Sequence, residues 1–195
     1  MKVRQATRDD LPRLARTLAE AFTGDPVWTW MVPSLSGKRR IFGALLRHAI
    51  PNGHVYTAGD GRAVAMWAPP GQWKLPAAAM VRAAGPMLVA TGWRLPRLLG
   101  RNTEIERLHE KVPAQHWYLE FIASVQSGLG STLMEHGIDS VTRGLPIYLE
   151  SSNPRNLTFY KRHGFEVTGE PPMRSGPPQW TLLYGGASGA AASPP

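Results

Sequence analysis

A phenol and two carboxamides gather in one stretch of the chain, Leu149-Glu150-Ser151-Ser152-Asn153-Pro154-Arg155-Asn156-Leu157-Thr158-Phe159-Tyr160-Lys161-Arg162-His163-Gly164-Phe165. Residues 147–150 read as a short buried strand. Asn153-Pro154 then supplies an N-cap and a proline at the first helical position, where its missing N–H costs nothing. The helix that starts there keeps Leu157 and Tyr160 at helical spacing, carries Lys161, Arg162 and His163 in its last turn, and stops at Gly164. Tyr160 therefore lies two turns along a helix whose N-terminus faces the end of a strand, a position where chemistry can happen. Packing is the other role open to Tyr160, and capping the other role open to Asn153 and Asn156.

A second group is Ser127-Gly128-Leu129-Gly130-Ser131, between a strand and a helix. Glycines at such a junction let backbone N–H groups approach a phosphate closely, and the helix N-terminus adds a favourable dipole. Two glycines before a helix also suit a plain turn.

The elements that must hold these groups follow from periodicity and breakers. Residues 3–6 read as a strand, and Thr7 with Asp10 makes an approximate capping box for a helix with Leu11, Leu14, Ala15, Leu18, Ala21 and Phe22 on one face. Gly24-Asp25-Pro26 breaks it. Residues 36–49 suggest a second helix, and strands 54–58 and 62–68 flank a hairpin turn at Gly59-Asp60-Gly61. Residues 73–112 form a helical insertion broken at Gly85-Pro86 and Pro96, with Met80, Met87, Leu88 and Trp93 expected in its core. A central strand at 116–123 and a helix at about 130–142 follow. The last strands are 166–168 and 179–184, separated by a Pro/Gly-rich loop at 171–178. The tail, 185–195, is small and polar and is expected to be disordered.

Asn153-x-x-Asn156-x-x-x-Tyr160 followed by Gly164-Phe165 resembles the last motif of the GNAT superfamily of acyl-CoA-dependent N-acetyltransferases. The string from Tyr148 to Tyr160 looks especially like puromycin N-acetyltransferase and its actinobacterial relatives. Residues 3–10, 16–22 and 55–67 are similar to that family's opening strand, first helix and central hairpin, so the resemblance spans most of 3–184. It implies an α/β fold: one mixed, largely antiparallel twisted sheet of six to seven strands flanked by helices, with the insertion before the central strand and a single domain over 1–184. It also implies acetyl-CoA as co-substrate, with Gln126, Ser127, Gly128, Leu129, Gly130 and Ser131 at its pyrophosphate. By the same resemblance, backbone N–H groups of Phe121, Ile122 and Ala123 would polarise the thioester carbonyl. Asn153 and Asn156 would hold the pantetheine, and Tyr160 would be general acid toward the departing thiolate. In the family's Gln/Arg-x-x-Gly-x-Gly/Ala loop, this chain has Val125 at the first position, Gln126 one residue late, and a shortened segment at 124–127.

Acyl transfer to an amine needs a base, a polarised carbonyl and a stabilised thiolate. Alternation on the central strand puts Tyr118 and Glu120 on one face, where a carboxylate takes the amine's proton directly or through water. Glu120 is the first candidate and Glu150 the second, while His116 reads as a strand-start histidine. Pairing with an arginine is the other role open to Glu120. Phe22, Asp25, Trp28 and Trp30 follow the first helix, on the side where acceptors bind in the family, and aromatics with one acid suit a cationic organic amine. The same residues also read as a hydrophobic loop folded onto the core.

Composition narrows the classes. The 195 residues contain no cysteine, which excludes disulfides, thiolate metal sites and a cysteine nucleophile, and no metal site is expected. Lys and Arg number 22 against 14 Asp and Glu, a net charge of +8, but only Lys38-Arg39-Arg40 and Lys161-Arg162-His163 are compact. Neither is interleaved with aromatics as a single-strand nucleic-acid binder requires. The longest uncharged apolar run, 83–93, is far below the roughly 20 residues of a membrane span, and Met1-Lys2-Val3-Arg4-Gln5 leads to Asp9-Asp10 rather than an apolar signal region. The expectation is a cytoplasmic monomer or homodimer that acetylates a primary amine of a small molecule by direct attack on the thioester, such as an aminonucleoside or other antibiotic, without nucleic-acid or membrane partners. The alternative is a protein of the same fold that binds CoA or another ligand with little or no turnover.

Overall fold

The computed structural model describes residues 2–112 and 115–185, so the expected tail lies outside the described residues beyond Gly185. The chain runs β1 (Arg4–Gln5), α1 (Leu11–Ala21), α2 (Pro26–Met31), α3 (Leu35–Ala49), β2 (Val55–Ala58), β3 (Ala63–Ala68), α4 (Ala77–Thr91), α5 (Leu95–His109), β4 (Trp117–Ser124), α6 (Leu129–His136), β5 (Ile147–Ser151), α7 (Leu157–Arg162), β6 (Glu166–Gly169) and β7 (Trp180–Tyr184). The strands form one seven-stranded sheet in the order β1-β2-β3-β4-β5-β7-β6. Every neighbouring pair is antiparallel except β4 and β5, which are parallel.

Apolar residues at alternate strand positions give the sheet two buried faces. On one, Val55, Val64, Met66 and Ala123 meet Leu14, Leu18, Val27, Ile41, Phe42 and Leu46 from α1, α2 and α3. On the other, Ala65, Trp67, Trp117, Leu119, Ile147 and Leu149 meet Leu129, Leu133 and Met134 of α6 and Tyr160 of α7. After His136 the helix widens into a π turn over Gly137–Val141. A Cβ at Gly137 would run into the Trp67 indole, so only glycine lets that turn lie on the sheet.

Helix α1 ends before Gly24-Asp25-Pro26, as expected. Three expectations are corrected. The residues that follow are not a loop folded onto the core: Asp25 caps α2, its carboxylate accepting from the Trp28 amide at 2.9 Å. The insertion does not break at Gly85-Pro86. Helix α4 runs through Pro86, and the break falls at Gly92, whose φ of 53° suits glycine. Pro96 instead sits in the first turn of α5, where a missing N–H leaves no intrahelical bond unmade. Nor do Met80, Leu88 and Trp93 form its core, since Leu88 is 55% exposed, Trp93 75% and Met80 42%, while Met87 is half-buried and lines the cleft. Helix α4 buries small residues instead, Ala79 and Ala83, and packs on α3 and α5. No helix among the described residues is long and apolar enough to cross a membrane.

The entry to α1 is locked as its sequence suggests. Asp10 accepts from the Thr7 amide at 2.8 Å, and its two oxygens accept from the Arg4 guanidinium at 2.7 and 2.8 Å. Arg4 holds the Asp10 carboxyl well below the usual carboxylate range, with burial acting against it. Asp10→Ala is expected to cost about 1–2 kcal/mol of stability near neutral pH. The stabilising charge is fully present above the ordinary carboxylate pKa and is lost as acid titrates the folded carboxyl, so in urea titrations the gap between parent and variant is constant above about pH 4 and narrows steadily as the pH falls below it.

Candidate functional site

Strands β4 and β5 are paired only at Trp117↔Ile147 and Tyr118↔Tyr148. Strand β4 continues to Ser124 and β5 to Ser151, so beyond those two pairs the strands part and leave a wedge in the middle of the sheet. Each wall keeps its ladder on its far side, β4 with β3 and β5 with β7. A cleft opens at the wedge, lined by Tyr118, Glu120, Phe121 and Ile122 of β4, Glu150 and Ser151 of β5, and Tyr160 of α7. Its accessible volume is about 280 Å³.

Strand β4 carries a bulge at the cleft. Met66 of β3 faces Phe121 and Trp67 faces Leu119, so Glu120 has no partner on β3. The extra residue breaks strict alternation. Leu119 and Ile122 pack toward α6, whereas Phe121 and Ala123 pack toward α1 and α3. Glu120 lines the cleft, and burial pushes its carboxyl up to about 7. A carboxylate with that affinity holds and releases a proton at neutral pH.

Where the strands are still paired, a polar cluster closes the end of the wedge. Tyr118 donates to Glu150 Oε2 at 2.8 Å, and burial pushes Glu150 up to about 7 against the opposing effect of that bond. His109, the last residue of α5, brings Nε2 within 3.7 Å of Glu150 Oε1 and Nδ1 within 3.2 Å of His116 Nε2. Burial, with His116 and Lys74, pushes His109 down to about 3, so its imidazole is neutral at physiological pH. Trp73 stacks on His109 with ring centroids 4.0 Å apart. The insertion is thereby sealed onto the sheet.

The remaining candidates divide by position. Phe22 and Trp28 line the cleft and pack edge-on against Phe121. Asp25 lines it too, but both oxygens are engaged: Oδ1 by the Trp28 amide and Oδ2 by the Ser152 hydroxyl at 2.6 Å. Trp30 lies apart, on an outer groove with Arg94 and Arg97, the latter stacked on its ring. Asn153 caps the 3-10 turn before α7, accepting from the Arg155 amide at 3.1 Å, while Asn156 is exposed at the cleft. Tyr160 is buried against Phe165, and burial together with Asp25 raises its phenol, which keeps its proton at neutral pH.

The glycine loop lies at the open end of β4. Gly128, at φ 84°, is the N-cap of α6, and nothing comes within 4 Å of a Cβ built there. The first-turn amides of 129–131 have no intrahelical acceptor. Leu129 itself is core, Ser131 Oγ lies 3.2 Å from His163 Nε2, and Gln126 accepts from Arg62 at 2.8 Å. An open helix N-terminus beside the wedge fits a pyrophosphate. The chemistry that periodicity missed is the bulge at Glu120 and the His109–Trp73 seal. One legible signal was the tripeptide Tyr-Leu-Glu, present at both 118–120 and 148–150.

No family model matches the chain. An uncharacterized N-acetyltransferase of Schizosaccharomyces pombe is 23% identical over a 190-residue alignment that spans 85% of this chain and 74% of that protein. A crystal structure from Corynebacterium glutamicum, described as a histone acetyltransferase and related acetyltransferase, is similar with a TM-score of 0.62 at 23% identity, covering 97% of this chain and 98% of that one. The Drosophila melanogaster polyamine N-acetyltransferase, which forms N-acetylagmatine, has a TM-score of 0.58 at 14% identity, with 93% and 98% covered. These likenesses carry the architecture: the mixed seven-stranded sheet with its flanking helices is the GNAT acetyltransferase fold.

The raised carboxyls have a thermodynamic signature. A carboxyl whose folded pKa stands above its unfolded value binds more protons when folded, so its cost to stability is absent below the unfolded pKa and complete above the folded one. Glu120→Gln is expected to raise the melting temperature at pH 8, by about 2–4 °C for each kcal/mol recovered. Calorimetric scans of parent and variant should differ least below about pH 4, under the unfolded carboxylate pKa.

Proposed function

We propose that the protein is an N-acetyltransferase that moves an acetyl group from acetyl-CoA to a primary amine of a small cationic molecule. The observation that carries this reading is the wedge between β4 and β5, with Glu120 on one wall, Tyr160 on the other and the open N-terminus of α6 beside it. The wedge leaves β4 backbone without a β5 partner, and the amides of Phe121, Ile122 and Ala123 suit a developing oxyanion. The pyrophosphate fits the first-turn amides after Gly128, and Asn156 the pantetheine arm. Glu120 takes the proton of the attacking ammonium, leaving a neutral amine to attack the thioester carbon. As the C–S bond breaks, Tyr160 gives its proton to the thiolate and is reprotonated through water by the second proton that the new amide nitrogen sheds, while Glu120 returns its proton to solvent.

Phe22, Trp28 and Tyr118 form the acceptor wall, and Asp25 holds α2 so that Trp28 faces the cleft. Polyamine acetylation by the Drosophila neighbour agrees with a cationic acceptor, and aminonucleosides, the class named by the sequence resemblance, are the second group to assay. A reading as a CoA-binding protein without turnover is favoured by one observation, the engagement of Gln126 by Arg62 in the shortened loop. Calorimetry with acetyl-CoA followed by thiol release across an amine panel separates the two.

Tyr160→Phe removes one hydroxyl, and turnover is expected to fall by about 10²–10⁴ with acetyl-CoA affinity nearly intact. Turnover equal to the parent's at matched folding refutes the acid role. Gly130→Pro deletes a first-turn amide without breaking an intrahelical bond and is expected to weaken acetyl-CoA binding by about tenfold or more. Gly130→Ala is its control, since the added Cβ makes only an ordinary 3.8 Å contact with the Phe159 ring. Equal affinity in all three proteins locates the pyrophosphate elsewhere.

A further inference from the structure

The two Tyr-Leu-Glu tripeptides occupy the two strands that part. Tyr118 and Tyr148 are register partners, the last before the opening, and Leu119 and Leu149 both point into the α6 core. Two residues beyond the tyrosines, Glu120 and Glu150 therefore stand at matching steps on facing walls of the wedge.

Glu150 is committed at one oxygen only. Its side chain is 2% exposed and Oε2 accepts from Tyr118, while the Tyr148 phenol lies close enough to lower the carboxyl and His109 Nε2 stands 3.7 Å from Oε1, which makes no hydrogen bond although it is buried at the cleft. The facing His109 is held neutral by burial, with His116 behind it, and Lys74 lies over the Trp73 ring. Arg101, also at the cleft, donates to Gln179, Ser175 and Pro177 and lies 3.8 Å from Glu104 through Nε, which makes no hydrogen bond. Among the described residues no lysine or arginine forms an ion pair with Glu120 or Glu150. A buried carboxylate without a cation is costly, and the cost is relieved when a ligand brings one.

We propose that Glu150 receives a second cationic group of the acceptor while the reacting amine faces Glu120, so that aliphatic diamines and guanidino-amines are preferred over monoamines. This rests on the acyl-transfer reading of the same cleft. Burial alone raises both carboxyls toward 7, and a dication entering the wedge favours the ionised form of each. The Tyr118 ring, hydrogen-bonded to Glu150 and lining the cleft, suits an alkyl chain that ends in a cation.

Initial rates with butylamine and 1,4-diaminobutane at saturating acetyl-CoA test the proposal. The diamine is expected to have a kcat/KM about tenfold higher, carried by KM. Glu150→Gln should reduce that preference to about twofold or less, by removing the distal charge. Glu150→Asp keeps the charge but withdraws it by one methylene, so the optimum should move to a longer diamine. Equal rates for the two amines in the parent, or a preference that persists in Glu150→Gln, overturn the proposal while leaving acetyl transfer standing. Calorimetric binding of 1,4-diaminobutane that Glu150→Gln abolishes, in a protein that acetylates no amine, supports the cation site and overturns the acyl-transfer reading instead.

Discussion

Two adjacent parallel strands that pair for two residues and then separate are the constraint on which the rest of the molecule depends. In a closed ladder every backbone amide and carbonyl is spent on a neighbour, whereas parted strands leave groups that water or a ligand must satisfy. The sheet tolerates the gap because each wall belongs to an antiparallel half, β1 to β4 on one side and β5, β7 and β6 on the other. On one face α6 and α7 pack across both halves, and on the other the Ser152 hydroxyl donates to Asp25 at the cap of α2 and Arg101 of α5 donates to Gln179. Residues with little else in common, a glutamate on a bulge and a tyrosine on a helix, become neighbours because they border the same gap.

The gap also sets the electrostatics. Its walls are protein on most sides, so Glu120 and Glu150 lose solvation without gaining a permanent cation, and their carboxyls move toward neutrality. Tyr160 and Tyr118 move the opposite way from reactivity as anions and stay phenols. One environment thus yields carboxyls that exchange protons near neutral pH and hydroxyls that retain them. The free energy to bury such groups comes from the two apolar faces of the sheet, where Leu14, Leu18, Phe42, Leu129 and Leu133 are almost wholly withdrawn from water.

Much of this was legible in the chain. The capping box at Thr7 and Asp10, the hairpin around Gly59-Asp60-Gly61, and the strand-to-helix turn at Asn153-Pro154 are local chemistry, and they stand close to where their residues indicate. What escaped is non-local. Pro86 is a helix breaker by propensity, yet α4 carries it through because packing on α3 and α5 outweighs one missing bond. The bulge at Glu120 depends on how β3 pairs with β4, which no single strand records. Asp25 reads equally as an acceptor contact or as part of a loop on the core until its partners, the Trp28 amide and the Ser152 hydroxyl 127 positions away, are known. The apolar residues of the insertion misled because hydrophobicity indicates a buried face only when a partner covers it.

Arg101 is buried on α5, which covers the cleft with Leu98, Arg101 and Ile105, and donates to the carbonyls of Ser175 and Pro177 and to the side chain of Gln179, so that α5 acts as a roof. Its counterpart is the proline- and glycine-rich segment before β7, which by composition reads as a mere spacer. A cation buried against main-chain carbonyls makes that spacer a strut: the height of the roof over the wedge is gauged from the far half of the sheet. Shortening the segment would therefore lower the ceiling of the cleft rather than trim a loop, and the range of molecules the cleft admits is written partly in residues that never touch them.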